Sequence, residues 1–427
     1  MTTPSETAFT IDTSSIKYGV GVTREVGYEI NRMGVKRVMV ITDPKLTDSA
    51  PVATVMESIR AAGVDPVLFD QVSVEPTDIS MKQAIAFATA GNFDGYVAVG
   101  GGSSIDTAKT ANLYATYPAN FLVYVNAPIG EGRLVPGPLK PLIAIPTTTG
   151  TGSETTGVAI FDFLEMKAKT GIADRVLRPD MGLIDPENTR NLPGMVVACS
   201  GFDVLSHALE SFTALPFDQR SAPEHPGARP SYQGSNPISD IWALKAAEMG
   251  AKYIVRAAQD PTDHEARGQM LLAATYAGIG FGNAGCHVPH GMSYAVSGMV
   301  KEFVAEGYPV NHPLVPHGMS VILNAPAVFR FTAPTNPQRH LQIAGVMGAD
   351  IADATDEDAG EVLSGLLSKL IQTLGLPNGL GAVGYEPDDV TDLTTGTMPQ
   401  QRVLRISPRP VTDSDIRQLF LDSLRIW

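Results

Sequence analysis

Along the first 190 positions, short continuous apolar runs alternate with amphipathic stretches. Arg37-Val-Met-Val-Ile-Thr42, flanked by Gly34 and by Asp43-Pro44, predicts a buried parallel strand. Residues 50–62 read as a helix, Pro66-Val-Leu-Phe69 as the next strand, and 78–90 as a helix closed near Gly91. Gly95-Tyr-Val-Ala-Val99, Pro141-Leu-Ile-Ala-Ile-Pro146 and Gly182-Leu-Ile-Asp185 add further strands. This alternation predicts a doubly wound α/β sheet. Residues 1–34 read as entry structure. From about residue 190 the strand signal stops, and 193–214, 237–258, 262–283, 317–331, 356–374 and 411–425 read as helices. The pattern divides the chain into an α/β domain over 1–190 and an all-helical domain over 191–427.

Candidate chemistry sits at the ends of these elements. The third strand runs into Gly100-Gly-Gly-Ser-Ser-Ile-Asp-Thr-Ala-Lys109. A glycine triplet between strand and helix leaves backbone N–H groups unobstructed at a positive helix N-terminus, which suits a phosphate or pyrophosphate. The spacing is neither G-x-G-x-x-G nor a P-loop. The hydroxyl-rich loop Thr147-Thr-Thr-Gly-Thr-Gly-Ser-Glu154 leaves the same sheet at its carboxyl end, where nucleotides bind. Asp43 ends the first strand and is placed to accept from an adenosine ribose hydroxyl, which favours NAD over NADP. The plainer role for Asp43 is a cap before Pro44.

In the helical half, Gly201-Phe-Asp-Val-Leu-Ser-His-Ala-Leu-Glu210 sets Asp203 and His207 one turn apart on one apolar face. A buried carboxylate and imidazole need a partner, either each other or a metal. Further histidines stand in pairs: His287 and His290, then His312 and His317. His290-Gly291 and His317-Gly318 each open a helix-like run. One carboxylate with three imidazoles suits Fe(II) or Zn(II) with a position open to substrate. Spacing alone leaves open which member of each pair serves. A long Pro- and Gly-rich loop from Pro216 to Pro237 carries Arg220, Arg229, Tyr232 and Asn236, and such loops are usually functional.

Composition narrows the class. The 427 residues are 44% hydrophobic and 18% charged, with net charge −14 and no basic cluster, which argues against nucleic-acid or anionic-membrane partners. The apolar runs are too short to span a bilayer. Cys199 and Cys286 are the only cysteines, as expected in a reducing compartment. Residues 1–12 have no apolar stretch and only acidic charges, resembling neither a secretory signal nor a transit peptide. A soluble, cytoplasmic protein is expected.

Taken in order, Gly100–Asp106, Pro146–Glu154, Gly201–His207, His290-Gly-Met and Pro316-His-Gly318 resemble the iron-containing (group III) alcohol dehydrogenase family over nearly the whole chain. Tyr232–Asp240, Gly280–Gly285, His312–His317 and Pro399–Pro410 resemble its hydroxyacid–oxoacid transhydrogenases. The resemblance implies a dehydroquinate-synthase-like fold with a dinucleotide-binding domain and an all-α domain. It implies Asp203, His207, His290 and His317 as metal ligands for Fe2+, with Zn2+ as the alternative. For NAD it implies Gly101, Gly102, Ser103, Asp106, Thr147, Thr148, Thr151, Ser153, Asp43 and Lys169, the last in Lys167-Ala-Lys-Thr170. Many relatives carry a proton-relaying histidine where this chain has Tyr294; Tyr294 or His287 would act instead. Arg220 or Arg229 would bind a substrate carboxylate. The implied activity is hydride transfer from a hydroxyacid such as 4-hydroxybutyrate to an oxoacid such as 2-oxoglutarate through bound NAD, in a homo-oligomer. The alternatives are an ordinary NAD-dependent alcohol dehydrogenase that releases NADH and a dehydroquinate-synthase-like lyase.

Overall fold

The computed structural model describes residues 4–166, 168–308 and 312–427; Lys167 lies outside them. The chain forms two compact units, one of Thr13–Asn191 and one joining the segment that ends at Asp12 to Leu192–Trp427.

In the first unit, β1 (Ser15–Tyr18), β2 (Arg37–Ile41), β3 (Asp65–Phe69), β4 (Gly95–Gly100), β5 (Leu142–Pro146) and β8 (Met181–Ile184) make a parallel sheet in the order β1-β8-β5-β4-β2-β3. Helices α1 (Val26–Arg32), α2 (Ala50–Ala61), α3 (Asp78–Gly91) and α4 (Gly102–Thr116) connect the strands. Side chains alternate across the sheet. Val38, Val40, Val97, Val99, Ile143 and Ile145 pack with α1 and α2, while Met39, Ile41, Tyr96, Ala98 and Ala144 pack with α3 and α4. Both faces are covered, so the strands read as unbroken apolar runs. The chain reverses direction around β2: β3 lies on one side and β4 on the other. The carboxyl ends of β2, β4 and β5 therefore form the switch-point edge where ligands bind. β1 and the antiparallel hairpin β6 (Val158–Phe163) and β7 (Ala168–Ala173) were not expected from the pattern.

The second unit is helical: α5 (Gly194–Thr213), α6 (Pro237–Gln259), α7 (His264–Ala284), α8 (Val288–Gly298), α9 (His317–Ile322), α10 (Ala325–Thr332), α11 (Pro337–Val346), α12 (Ala359–Thr373), α13 (Val390–Thr397), α14 (Gln401–Leu404) and α15 (Asp413–Ser423). Small residues let α5, α6 and α7 pack closely. A Cβ at Gly201 would lie 2.7 Å from Ile254, and one at Gly250 2.7 Å from Leu205. The helix expected over 317–331 is two helices. Pro326 has no N–H to bond the Ile322 carbonyl, so the ladder breaks there.

The expected domain of 1–190 is corrected at its start, because the N-terminal segment belongs to the helical unit. Thr10 N–H donates to Gln233 Oε1 at 2.8 Å, and Gln233 Nε2 returns a bond to the Thr10 carbonyl at 3.0 Å. Asn283 holds Asp12 through two backbone bonds of 2.9 Å. Among the described residues no helix is long and apolar enough to cross a membrane.

Candidate metal centre and nucleotide site

Helix α5 carries Asp203, His207 and Glu210 on one buried face. Asp203 Oδ1 lies 3.7 Å from His207 Nε2, 3.5 Å from His290 Nε2 and 3.7 Å from His317 Nε2. These separations are too long for good hydrogen bonds, and Asp203 Oδ1 and His290 Nε2 are buried without a hydrogen-bond partner. Ligand atoms about 2.1 Å from a tetrahedral metal stand roughly 3.4 Å apart. The orphaned donors thus fit a divalent cation. Ligand atoms of Asp203, His290 and His317 lie within 4.8 Å of one another, as do those of His207, Cys286 and His290.

The sequence builds this convergence with small residues and a hidden carboxylate. A Cβ at Gly318 would sit 1.9 Å from the Cys199 carbonyl oxygen, so only glycine after His317 lets α9 lie against α5. Glu210, fully buried, stands 2.6 Å from His290 Nδ1 and accepts the His287 N–H at 2.7 Å. It fixes the imidazole with Nε2 toward Asp203 and anchors the start of α8. Carboxylate–histidine–metal relays use this arrangement. Phe281 stacks on His207 at 3.8 Å and shields it.

Protonation favours ligation at His207 and Asp203, whereas at His290 burial is outweighed by Cys286, Glu210 and Asp203, which hold the unligated imidazole well above its ordinary value. Burial pushes the His207 imidazole down to about 3, so it is neutral with a free lone pair. Burial works against the Asp203 carboxylate, but the three histidines around it hold its carboxyl well below the usual range. Burial pushes the Cys286 thiol up to about 11, leaving it a protonated neighbour of the cluster.

Of the sequence-predicted residues, Asp203, His207, His290 and His317 come together. His312 is exposed. His287 does not join them. Its Nε2 is 2.9 Å from Thr213 Oγ1, its ring lies edge-on to Phe329, and burial pushes it down to about 4. In place of the catalytic position expected for it, His287 lies in packing contacts, with its backbone N–H serving Glu210. Tyr294 faces the cluster, its ring stacked at 6.5 Å from that of His317. Arg229 forks onto Glu6 at 2.9 and 3.1 Å, and Arg220 donates to the Gln233 carbonyl at 2.9 Å. Their contacts hold the N-terminal segment and the long loop, so both arginines expected at the substrate are engaged within the protein. Glu210 and Cys286 were missed. Glu210 had a signal, since seven residues after Asp203 is the same helical face.

At the switch-point edge, the glycine and threonine loops interlock. A Cβ at Gly101 would lie 3.1 Å from Thr148 Cγ2, and one at Gly102 2.8 Å from Thr151 Cγ2. Thr147 N–H donates to the Gly100 carbonyl at 3.0 Å. Ser103 Oγ accepts the Glu75 N–H at 3.2 Å. The side-chain-free cradle at the N-terminus of α4 fits a dinucleotide pyrophosphate. Asp43 Oδ1 accepts the Lys45 N–H at 2.9 Å, the turn-capping contact, and burial pushes its carboxyl upward. Asp106 and Ser153 bond each other, and both bind the buried Lys109 ammonium, at 3.3 and 2.6 Å. They brace the two loops from behind. Lys169, also buried, pairs with Glu75 at 2.6 Å and Asp162 at 3.1 Å.

Residues 13–186 match the model of the iron-containing alcohol dehydrogenases, and residues 231–424 match that of the C-terminal domain of the same family. The chain belongs to the iron-containing alcohol dehydrogenase family. It is an enzyme, a metal-dependent, NAD-linked oxidoreductase acting on small alcohol or hydroxyacid molecules. It is 55% identical to the mitochondrial hydroxyacid-oxoacid transhydrogenase of Mus musculus, covering 98% of this chain and 91% of that one. Identity to the protein of the same name from Homo sapiens is 54%, covering 98% and 90%. A solved 1,3-propanediol oxidoreductase has the same fold, with TM-score 0.85 and 24% identity over 98% of this chain and 100% of that one. The expected cytoplasmic location is overturned, because these relatives are named as mitochondrial. Two free thiols fit any reducing compartment, the mitochondrial matrix included, so composition did not separate the two.

Proposed function

We propose that the chain transfers hydride between a hydroxyacid of the 4-hydroxybutyrate type and an oxoacid of the 2-oxoglutarate type, through NAD that stays bound. The single observation that carries the chemistry is the convergence of three imidazoles on Asp203 Oδ1, with Asp203 Oδ1 and His290 Nε2 buried and unpartnered. The identity of about 54% to hydroxyacid-oxoacid transhydrogenases over nearly the full length supports the substrate pair.

In this reading Asp203, His207, His290 and His317 hold Fe2+, and the metal supplies Lewis-acid polarisation of the substrate oxygen. With the histidines ligating through neutral rings and Asp203 supplying one negative charge, the site with Fe2+ bound would be net positive, which would favour ionisation of a substrate hydroxyl. Glu210 keeps His290 pointed inward and, by accepting from Nδ1, makes Nε2 a more basic ligand. Phe281 covers His207 and excludes water from that side. Tyr294 Oη, which accepts from Arg402 at 2.9 Å, takes the place of the relaying histidine and is free to pass a proton outward. The interlocked loops at Gly101, Gly102, Thr148 and Thr151 receive the dinucleotide, with Thr147, Ser103 and Asp43 as its polar contacts.

The test follows the hydride. Protein incubated with 4-hydroxybutyrate deuterated at C4, 2-oxoglutarate and excess unlabelled free NADH should yield 2-hydroxyglutarate carrying deuterium at C2. Product without deuterium would mean that the cofactor exchanges each cycle, as in an ordinary alcohol dehydrogenase.

A further inference from the structure

The hydroxyacid and oxoacid both carry a carboxylate, and the two arginines of the long loop are engaged elsewhere. We propose that Arg402 is the carboxylate anchor of the substrate site, an assignment that rests on the hydroxyacid–oxoacid reading.

Arg402 lies in α14, in the stretch Pro399–Pro410 that has no part in the metal or nucleotide motifs. Its Nη2 donates to Tyr294 Oη at 2.9 Å, and its guanidinium carbon stands 4.8 Å over the Tyr232 ring. Its Nη1 is shielded from solvent and has no hydrogen-bond partner. No carboxylate pairs with Arg402 among the described residues. A shielded guanidinium edge without an anion carries a desolvation cost that a bound carboxylate would offset. The planar fork matches a carboxylate in shape and charge.

Its position suits that use. Tyr294, which Arg402 holds, is stacked over His317, so the guanidinium is one aromatic ring away from the ligand cluster. A four-carbon hydroxyacid would have its oxygen at the ligand cluster and its carboxylate at the arginine. The packing that brings Arg402 there is built on glycine. A Cβ at Gly291 would lie 2.8 Å from Leu404 and 3.3 Å from Val403, the two residues that follow Arg402. Gly285 has φ +98°, and a Cβ there would meet Ile406 at 2.3 Å and Tyr232 at 2.8 Å. Tyr232–Asp240, Gly280–Gly285 and Pro399–Pro410 therefore meet around this side chain. Other arginines of the unit have partners: Arg229 has Glu6, Arg339 has Asp240, and Arg409 has the Phe331 carbonyl.

The experiment uses the metal- and NAD-loaded enzyme and two donors of equal length, 4-hydroxybutyrate and butan-1-ol. Arg402→Ala should lower the ratio of kcat/KM for the acid over that for the alcohol by about 10- to 100-fold, the loss of a charge-assisted pair of bonds. KM for 2-oxoglutarate should rise in parallel. Arg402→Lys, which keeps the charge but not the fork, should fall between, and it carries the test if the alanine variant does not fold. A ratio unchanged in both variants, or equal losses on acid and alcohol, would overturn the assignment of Arg402 and leave the hydroxyacid reading standing. A wild-type enzyme with no preference for the acid over butan-1-ol would instead overturn the hydroxyacid reading, and Arg402's role with it.

Discussion

Glu210 Oε1 stands 2.6 Å from Nδ1 of His290, fully buried, on the same helix that supplies Asp203 and His207. One helix therefore contributes both the proposed ligands and the group that aims a ligand from another helix. Outer carboxylates of this kind typically contribute about 10- to 100-fold to metal affinity. Glu210→Ala should weaken iron binding by about that factor, with Glu210→Gln intermediate because its amide oxygen still accepts from Nδ1. Metal titration of the apo protein measures both. Unchanged affinity in the alanine variant would remove the relay from the account.

Gly318 is the steric condition for His317. Gly318→Ala would drive a methyl into the Cys199 carbonyl at 1.9 Å, so α9 must shift. A melting curve should show a loss of about 1–3 kcal/mol, and metal content should fall with it.

Metal removal should destabilise the helical unit selectively. Chelation leaves Asp203 Oδ1 and His290 Nε2 buried without a partner, whereas bound metal at 100 times its Kd adds about 2.7 kcal/mol. Calorimetry of apo and iron-loaded protein should show this as a raised Tm on loading. Identical Tm values would mean that the donor set binds no metal.

Gly102→Ala addresses the other unit. Its methyl would press on Thr151 Cγ2 at 2.8 Å and narrow the cradle at the start of α4. NADH fluorescence titration should give an affinity lower by about tenfold or more, comparable to losing one charge-assisted hydrogen bond, with metal content unchanged.

Arg229 and Glu6 set the fate of the N-terminal segment. Hydrogen bonding from Arg229 pulls the Glu6 carboxyl down from 4.5 to about 2, against the opposing effect of burial. Because the folded pKa is depressed, the pair stabilises the fold fully above about pH 4.5 and loses that contribution as pH falls toward about 2. At neutral pH, Arg229→Ala should speed hydrogen exchange of the backbone around Glu6 to Asp12. The preference for acid substrates should be unaffected.

Much of this was legible in the chain because the period of the pattern matched the fold. Strands covered on both faces, such as Val38–Ile41 and Tyr96–Val99, appear as unbroken apolar runs bounded by Gly, Asp and Pro. The Asp203–His207 spacing announced a buried polar face. Other features had no local signal. The N-terminal segment joins the helical unit through Gln233, Asn283 and Arg229, partners more than 220 positions away. Choosing His290 over His287 depends on Glu210 and Thr213, which take opposite rings from one short segment. Asp106 and Ser153 resemble phosphate-loop donors in sequence, yet Lys109 draws both inward. Arg220 and Arg229 drew notice because their loop is long, while Arg402 sits in a tail noted only for its resemblance to the transhydrogenases, and its place beside Tyr294 comes from the docking of α14 on Gly291.

The central claim is that this enzyme recycles its own NAD between two acids. The direct measurement is turnover without added nucleotide: purified, iron-loaded protein with 4-hydroxybutyrate and 2-oxoglutarate, followed for 2-hydroxyglutarate by mass spectrometry. The account predicts product well in excess of the enzyme concentration. Product that appears only when free NAD is supplied would contradict it and leave an ordinary iron-containing alcohol dehydrogenase.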